Sequence, residues 1–138
     1  MVSVIYYSMT GNTKKMASAI AGELGVEARD VKKAAVLPED GILFIGSGCY
    51  GDRPGEDMAK FIANNDFAGR KVALFGTSGA GAGKEVQAMA EALKRKGAIV
   101  LGDYHTKGKA FVVVNIGRPG REDLDGVRKY AREMAKLG

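Results

Sequence analysis

The chain has 138 residues, enough for a single domain of residues 1–138 around one core, and its 46% hydrophobic and 27% charged content is that of a globular protein, not a disordered one. Its 21 Lys and Arg against 16 Asp and Glu leave a net charge of +5, which suits an anionic partner, yet no nucleic-acid motif accompanies the basic stretch Lys94-Arg95-Lys96. The lone Cys49 excludes an internal disulfide, no apolar run approaches the ~18 residues of a membrane span, and the N-terminus has no secretory pattern, so a cytoplasmic setting is the expectation.

Val2–Tyr7 reads as a buried strand. From Thr13 to Leu24 the period lengthens: Met16, Ile20 and Leu24 fall four apart, with Lys14, Lys15 and Glu23 off that stripe, which predicts an amphipathic helix. Val26–Val31 reads as a short strand and Lys32–Asp40, with Pro38, as a polar connection. Ile42–Ile45 is a continuous apolar run closed by Gly46-Ser47-Gly48, as expected of a central strand covered on both faces. Glu56–Asn65 predicts a helix with Met58, Phe61 and Ile62 on one side. Lys71–Phe75 predicts a strand ended by Gly76, and Lys84–Lys96 a helix with Val86, Met89, Ala90 and Leu93 inward. Ala98–Leu101 begins a last strand, Thr106–Lys109 reads as a turn, and Phe111–Val114 as a second apolar piece. Arg121–Leu137 predicts a closing helix with Leu124, Val127, Ala131 and Met134 inward; Glu122 and Asp123 suit the positive end of its dipole.

Strands that alternate with helices give an α/β fold: about five strands in a parallel, doubly wound sheet with helices on both faces. Ligands of such sheets sit beyond the carboxyl ends of the strands, where strand order reverses. Attention therefore falls on the loops after Tyr7, Ser47 and Phe75, all rich in Gly, Ser and Thr. The first, Ser8-Met9-Thr10-Gly11-Asn12-Thr13, opens a helix. A helix start presents backbone N–H groups and the positive end of a dipole, which hold a phosphate without help from a cation. Ser8, Thr10 and Thr13 can add hydroxyl donors, and Gly11 allows a tight turn. The plainer alternative is an N-cap by Thr10 or Asn12.

That hexapeptide resembles the phosphate loop of the flavodoxin family, whose pattern is Ser/Thr-x-Thr-Gly-x-Thr, and it matches at every defining position. The resemblance implies strand order 2-1-3-4-5 and FMN as cofactor. It also implies an electron carrier that shuttles between redox proteins through a stabilised flavin semiquinone, with no catalytic residues. By the same resemblance Cys49-Tyr50-Gly51-Asp52 would cover one ring face: Tyr50 stacks, and Gly51 turns its carbonyl to the protonated flavin N5. Thr77, Ser78, Gly79, Ala80 and Gly81 would line the pyrimidine edge through backbone N–H groups.

The chain departs from the family pattern at two points. Ala80 stands where an aromatic often covers the outer ring face, leaving that face bare or to Tyr104, His105 or a partner. The family is often acidic, whereas this chain is basic, so its redox partner is expected to be acidic. A monomer is the default. Two alternatives stand beside the carrier: a flavin-dependent oxidoreductase of the NAD(P)H or quinone reductase type, and a non-flavin protein that binds a phosphate ligand. Other phosphate motifs fail by counting. Residues 76–85 lack the spacing of a nucleotide P-loop or a dinucleotide fingerprint, and Cys49 has Gly55, not Arg, six residues on. With one Cys and one His, no Cys/His metal cluster forms; Cys49 reads as a small buried residue and His105 as an ordinary exposed one.

Overall fold

The computed structural model describes residues 2–8, 11–33, 37, 41–48, 54–78, 84–107 and 121–137. In chain order these form β1 (Val2–Tyr7), α1 (Asn12–Leu24), β2 (Ala28–Asp30), β3 (Ile42–Gly48), α2 (Glu56–Asn64), β4 (Lys71–Ser78), α3 (Lys84–Arg95), β5 (Ile99–Lys107) and α4 (Arg121–Ala135). The strands build one parallel sheet in the order β2-β1-β3-β4-β5, the order implied by the family resemblance. The chain winds outward from β1 to β2, then returns past β1 to β3 and continues the other way. The reversal lies between β1 and β3, whose carboxyl ends stand side by side with Tyr7 opposite Ser47.

Side chains alternate across the sheet, so each central strand feeds two cores. Val4, Phe44, Ala73 and Phe75 pack under α1 and α4 against Met16, Ile20, Val127, Tyr130 and Ala131. Ile5, Leu43, Ile45, Val72 and Leu74 pack under α2 and α3 against Met58, Ile62, Val86, Met89 and Leu93. The apolar stripes read from the sequence face inward on every helix. Leu124 and Met134 pack at the margin of their core and are only partly buried.

The strands outrun their apolar runs. β3 continues through Gly46-Ser47-Gly48, β4 through Gly76-Thr77-Ser78, and β5 through the Thr106-Lys107 pair expected in a turn. Ladder bonds to the adjacent strand carry them on: Ser47 pairs with Gly76, Gly48 with Thr77, and Ser78 with Lys107. Gly46 belongs there for a steric reason. A Cβ on it would overlap the Phe75 ring. β2 is shorter than Val26–Val31: only Ala28, Arg29 and Asp30 stand in register with β1, and Val31 closes the strand by donating its N–H to Tyr6 O at 2.8 Å. The Phe111–Val114 piece lies outside the described residues.

Tyr130, absent from the predicted inward face of α4, crosses under the sheet and donates its hydroxyl hydrogen to Leu74 O at 2.8 Å. Its ring meets Phe44 edge-on at 6.3 Å and lies 5.6 Å from Tyr104. Burial, with the Asp103 carboxylate adding to it, pushes the Tyr130 phenol far above its ordinary value of 10.0. The folded chain therefore keeps this proton at a pH where the unfolded chain has lost it. The resulting stability is whole below about pH 10 and falls as pH rises above it. Tyr130→Phe is expected to cost about 1 kcal/mol at pH 7 through the lost hydrogen bond. It should also flatten the alkaline decline in denaturant midpoint between pH 9.5 and 11. An unchanged decline would remove Tyr130 as its source.

Candidate cofactor site

The reversal of strand order sets side by side the carboxyl ends of β1 and β3, from which the first two Gly/Ser/Thr loops leave. β1 delivers Tyr7 and Ser8 to one side of the switch point, and β3 delivers Ser47 and Gly48 to the other. β4, next in the sheet, delivers Thr77 and Ser78 as its last two strand residues, not as loop.

The first loop is closed at its base by Ser8, whose Oγ accepts the Gly11 N–H at 2.9 Å. Gly11 takes φ 89°, ψ −5°, the left-handed conformation that a side chain disfavours, and serves as the N-cap of α1. No side-chain cap hydrogen bond is made at this helix start among the described residues. The plain N-cap reading therefore does not hold for Asn12, which already lies in the helix; Met9 and Thr10 fall outside the described residues. The first intrahelical bond runs from Lys15 N to Gly11 O at 3.0 Å, so the amides of Asn12, Thr13 and Lys14 precede the ladder at the helix mouth. Asn12 and Thr13 are 4% and 1% exposed, held in the wall of this turn.

The donor set fits a dianionic phosphate. It combines amides at a helix start, the hydroxyls of Ser8 and Thr13, and a glycine that lets the backbone approach. Charge separates this helix start from its neighbours. The first turns of α2 and α3 carry Glu56 with Asp57 and Glu85, whereas that of α1 carries no acid. Carboxylates already complement two of the helix dipoles, and an external anion is the complement that suits the third.

The second loop is anchored by a residue outside the predicted site. Ser47 is fully buried; its hydroxyl donates to Gly48 O at 2.9 Å and accepts the Gly55 N–H at 2.8 Å. One side chain thus ties both ends of the segment that holds Cys49, Tyr50, Gly51 and Asp52, which themselves lie outside the described residues. Gly55 rests on the Tyr7 ring so closely that a Cβ there would overlap it. Lys32 Nζ stands 5.4 Å from the centre of the same ring. Nothing local in the sequence links Ser47 to Gly55 across eight residues.

Beyond β4, Gly79, Ala80 and Gly81 fall outside the described residues. Glu85, fully buried in the first turn of α3, lies against Gly76, where a Cβ would collide with its carboxylate. Tyr104, one candidate for the outer ring face, packs with Tyr130 under α4, and its hydroxyl occupies the space a side chain at Gly126 would need. That placement commits the ring to the α1/α4 layer. His105 belongs to β5 by its backbone.

Known proteins agree with this architecture. Residues 3–115 match the family profile described as a flavodoxin domain. A flavodoxin of Clostridium beijerinckii is 33% identical over 111 residues, which cover 72% of this chain and 80% of that protein. A flavodoxin of Megasphaera elsdenii is 31% identical over 114 residues, covering 74% and 82%. Among solved structures, a flavodoxin from the domain Archaea superposes with a TM-score of 0.75 at 21% identity, over 99% of this chain and 96% of the other.

Proposed function

The chain belongs to the flavodoxin family and binds FMN as an electron carrier, and on that premise we propose how it holds the cofactor and what it meets. Ser8, Met9, Thr10, Gly11, Asn12 and Thr13 cradle the phosphate. Cys49, Tyr50, Gly51 and Asp52 flank one ring face, and Thr77, Ser78, Gly79, Ala80 and Gly81 line the ring's polar edge. Residues 1–138 act as one domain in a reducing compartment, which the single cysteine suits.

The observation that carries this reading is the start of α1: no acid, no side-chain cap among the described residues, a left-handed glycine, and a place at the switch point. When bound, FMN supplies a centre that takes up and releases electrons one at a time. The chain's own part is to bind, orient and shield it. Ser8 and Gly11 shape the phosphate turn. Ser47 fixes the two ends of the ring-covering segment, so that only the peptides between them need move when the ring changes its hydrogen bonding. Glycine at position 51 keeps such a peptide rotation cheap. Among the described residues no helix is long and apolar enough to cross a membrane. With a net charge of +5, the partner that suits the carrier is an acidic redox protein.

Stepwise anaerobic reduction of the purified protein, followed by its visible spectrum, tests the reading. A carrier passes through a spectrally distinct half-reduced stage and shows no sustained turnover with NAD(P)H. Catalytic oxidation of NAD(P)H with a quinone or dye acceptor would make the chain an oxidoreductase instead. A colourless protein that stays so with added FMN would refute flavin binding altogether.

A further inference from the structure

We propose that the cleft between the upper halves of α1 and α4 docks the acidic face of the redox partner, an inference that rests on the electron-carrier reading. The cleft encloses about 390 Å³ and is lined by Lys14, Lys15, Ser18 and Ala19 of α1 and by Leu124 and Arg128 of α4. Among the described side chains that line it, none is acidic. The far end of the same helix pair is built differently. There Arg132 of α4 reaches Glu23 of α1 at 3.2 Å, a cross-helix ion pair. At the near end α1 offers two exposed lysines, neither paired with a described residue, while Arg128 is held by its own helix neighbour Asp125 at 2.8 Å. Among the described side chains, the helix pair thus joins opposite charges across its far end and leaves the two α1 lysines unjoined at the near end.

The shape of the cleft narrows the partner. Ala19 and Leu124 give it an apolar lining between the cations, so the matching surface has carboxylates around an apolar side chain. Its place suits electron transfer. Lys14 and Lys15 follow Thr13 in the first turn of α1, within about 5 Å of helix rise from the proposed phosphate cradle. A partner seated there stands beside the phosphate end of the proposed cofactor site. The larger groove, about 600 Å³ between α2 and α3, is less suited. It carries both signs through Glu56 and Arg95, and its other cation, Lys96, donates to Ile62 O and Ala63 O at the end of α2.

Nuclear magnetic resonance of the FMN-loaded, ¹⁵N-labelled chain, titrated at low salt with a synthetic peptide of repeated Glu-Leu-Glu-Glu, decides the matter. Amide shifts are expected to concentrate at residues 14–19 and 124–128 and to fade at high salt, where exposed charges are screened. Lys14→Glu with Lys15→Glu should weaken the peptide about tenfold, and the Arg pair at the same positions should restore it. Shifts centred on Lys94–Lys96, or a charge reversal that leaves affinity within about twofold, would overturn the assignment. So would tighter binding of the cleft to anionic phospholipid vesicles than to the peptide. FMN occupancy is read from the visible spectrum of the same sample. Absent flavin would strike the carrier reading, while the shift map would still decide the cleft.

Discussion

Replacing Thr10 and Thr13 together by Ala is expected to weaken FMN roughly 100-fold or more and to leave riboflavin within about threefold, because a hydrogen bond to a charged group contributes about 1.5–3 kcal/mol and riboflavin lacks the phosphate that receives it. Thr13 is nearly fully buried in the first turn of α1, so part of any loss could come from packing. Thr13→Val keeps the shape and removes one of the two hydroxyls, and should weaken FMN about tenfold or more while leaving riboflavin within about threefold. Calorimetric titration of both ligands against each variant is the measurement. Equal losses for FMN and riboflavin would show that these hydroxyls do not read the phosphate.

The second large effect concerns the platform beneath the site. A Cβ on Gly46 would overlap the Phe75 ring, which is itself fully buried and has no space to retreat into. Gly46→Ala should therefore cost about 2–3 kcal/mol, the upper part of the range for over-packed cores, and lower the thermal midpoint by roughly 10 °C. The same substitution at Gly22, exposed in the interior of α1 with nothing within 4 Å of the added carbon, should raise stability by up to about 1 kcal/mol. Chemical denaturation of the two variants gives the comparison, and equal signs would refute the steric account. Gly46 directly precedes Ser47, so its variant should also lose FMN affinity through displaced ends of β3 and β4.

These two predictions draw on different parts of what the sequence discloses. The turn into α1 was legible because its signals are local: a strand end, a glycine and a helix start fall within a few consecutive residues, and β1, Gly11 and α1 stand where they were read. The core was legible where burial is written in apolar side chains, as in Ile42–Ile45 and in the Met16 and Ile20 stripe of α1. The same code fails where a strand continues through glycine, serine or threonine. Gly46–Gly48, Gly76–Ser78 and Thr106–Lys107 are strand because their neighbours offer ladder bonds, which no window of the sequence contains. Ser47 clamps Gly55 and Tyr130 binds Leu74 O across 8 and 56 residues, so neither contact has a local signature. Tyr130 was further hidden by its polar tip, which reads as surface although its ring is core. The cationic cleft also required the fold, since only the packing of α4 on α1 sets Arg128 beside Lys14 and Lys15.

The central claim is that the amides of the first turn of α1, with the Ser8 and Thr13 hydroxyls, hold the phosphate of FMN. A crystal structure of the FMN complex tests it most directly. The account predicts phosphate oxygens within about 2.7–3.2 Å of those amides and hydroxyls, with no lysine or arginine in salt-bridge contact. A phosphate gripped by the Lys14 or Lys15 ammonium with no amide contact, or a flavin seated away from the β1/β3 switch point, would contradict it.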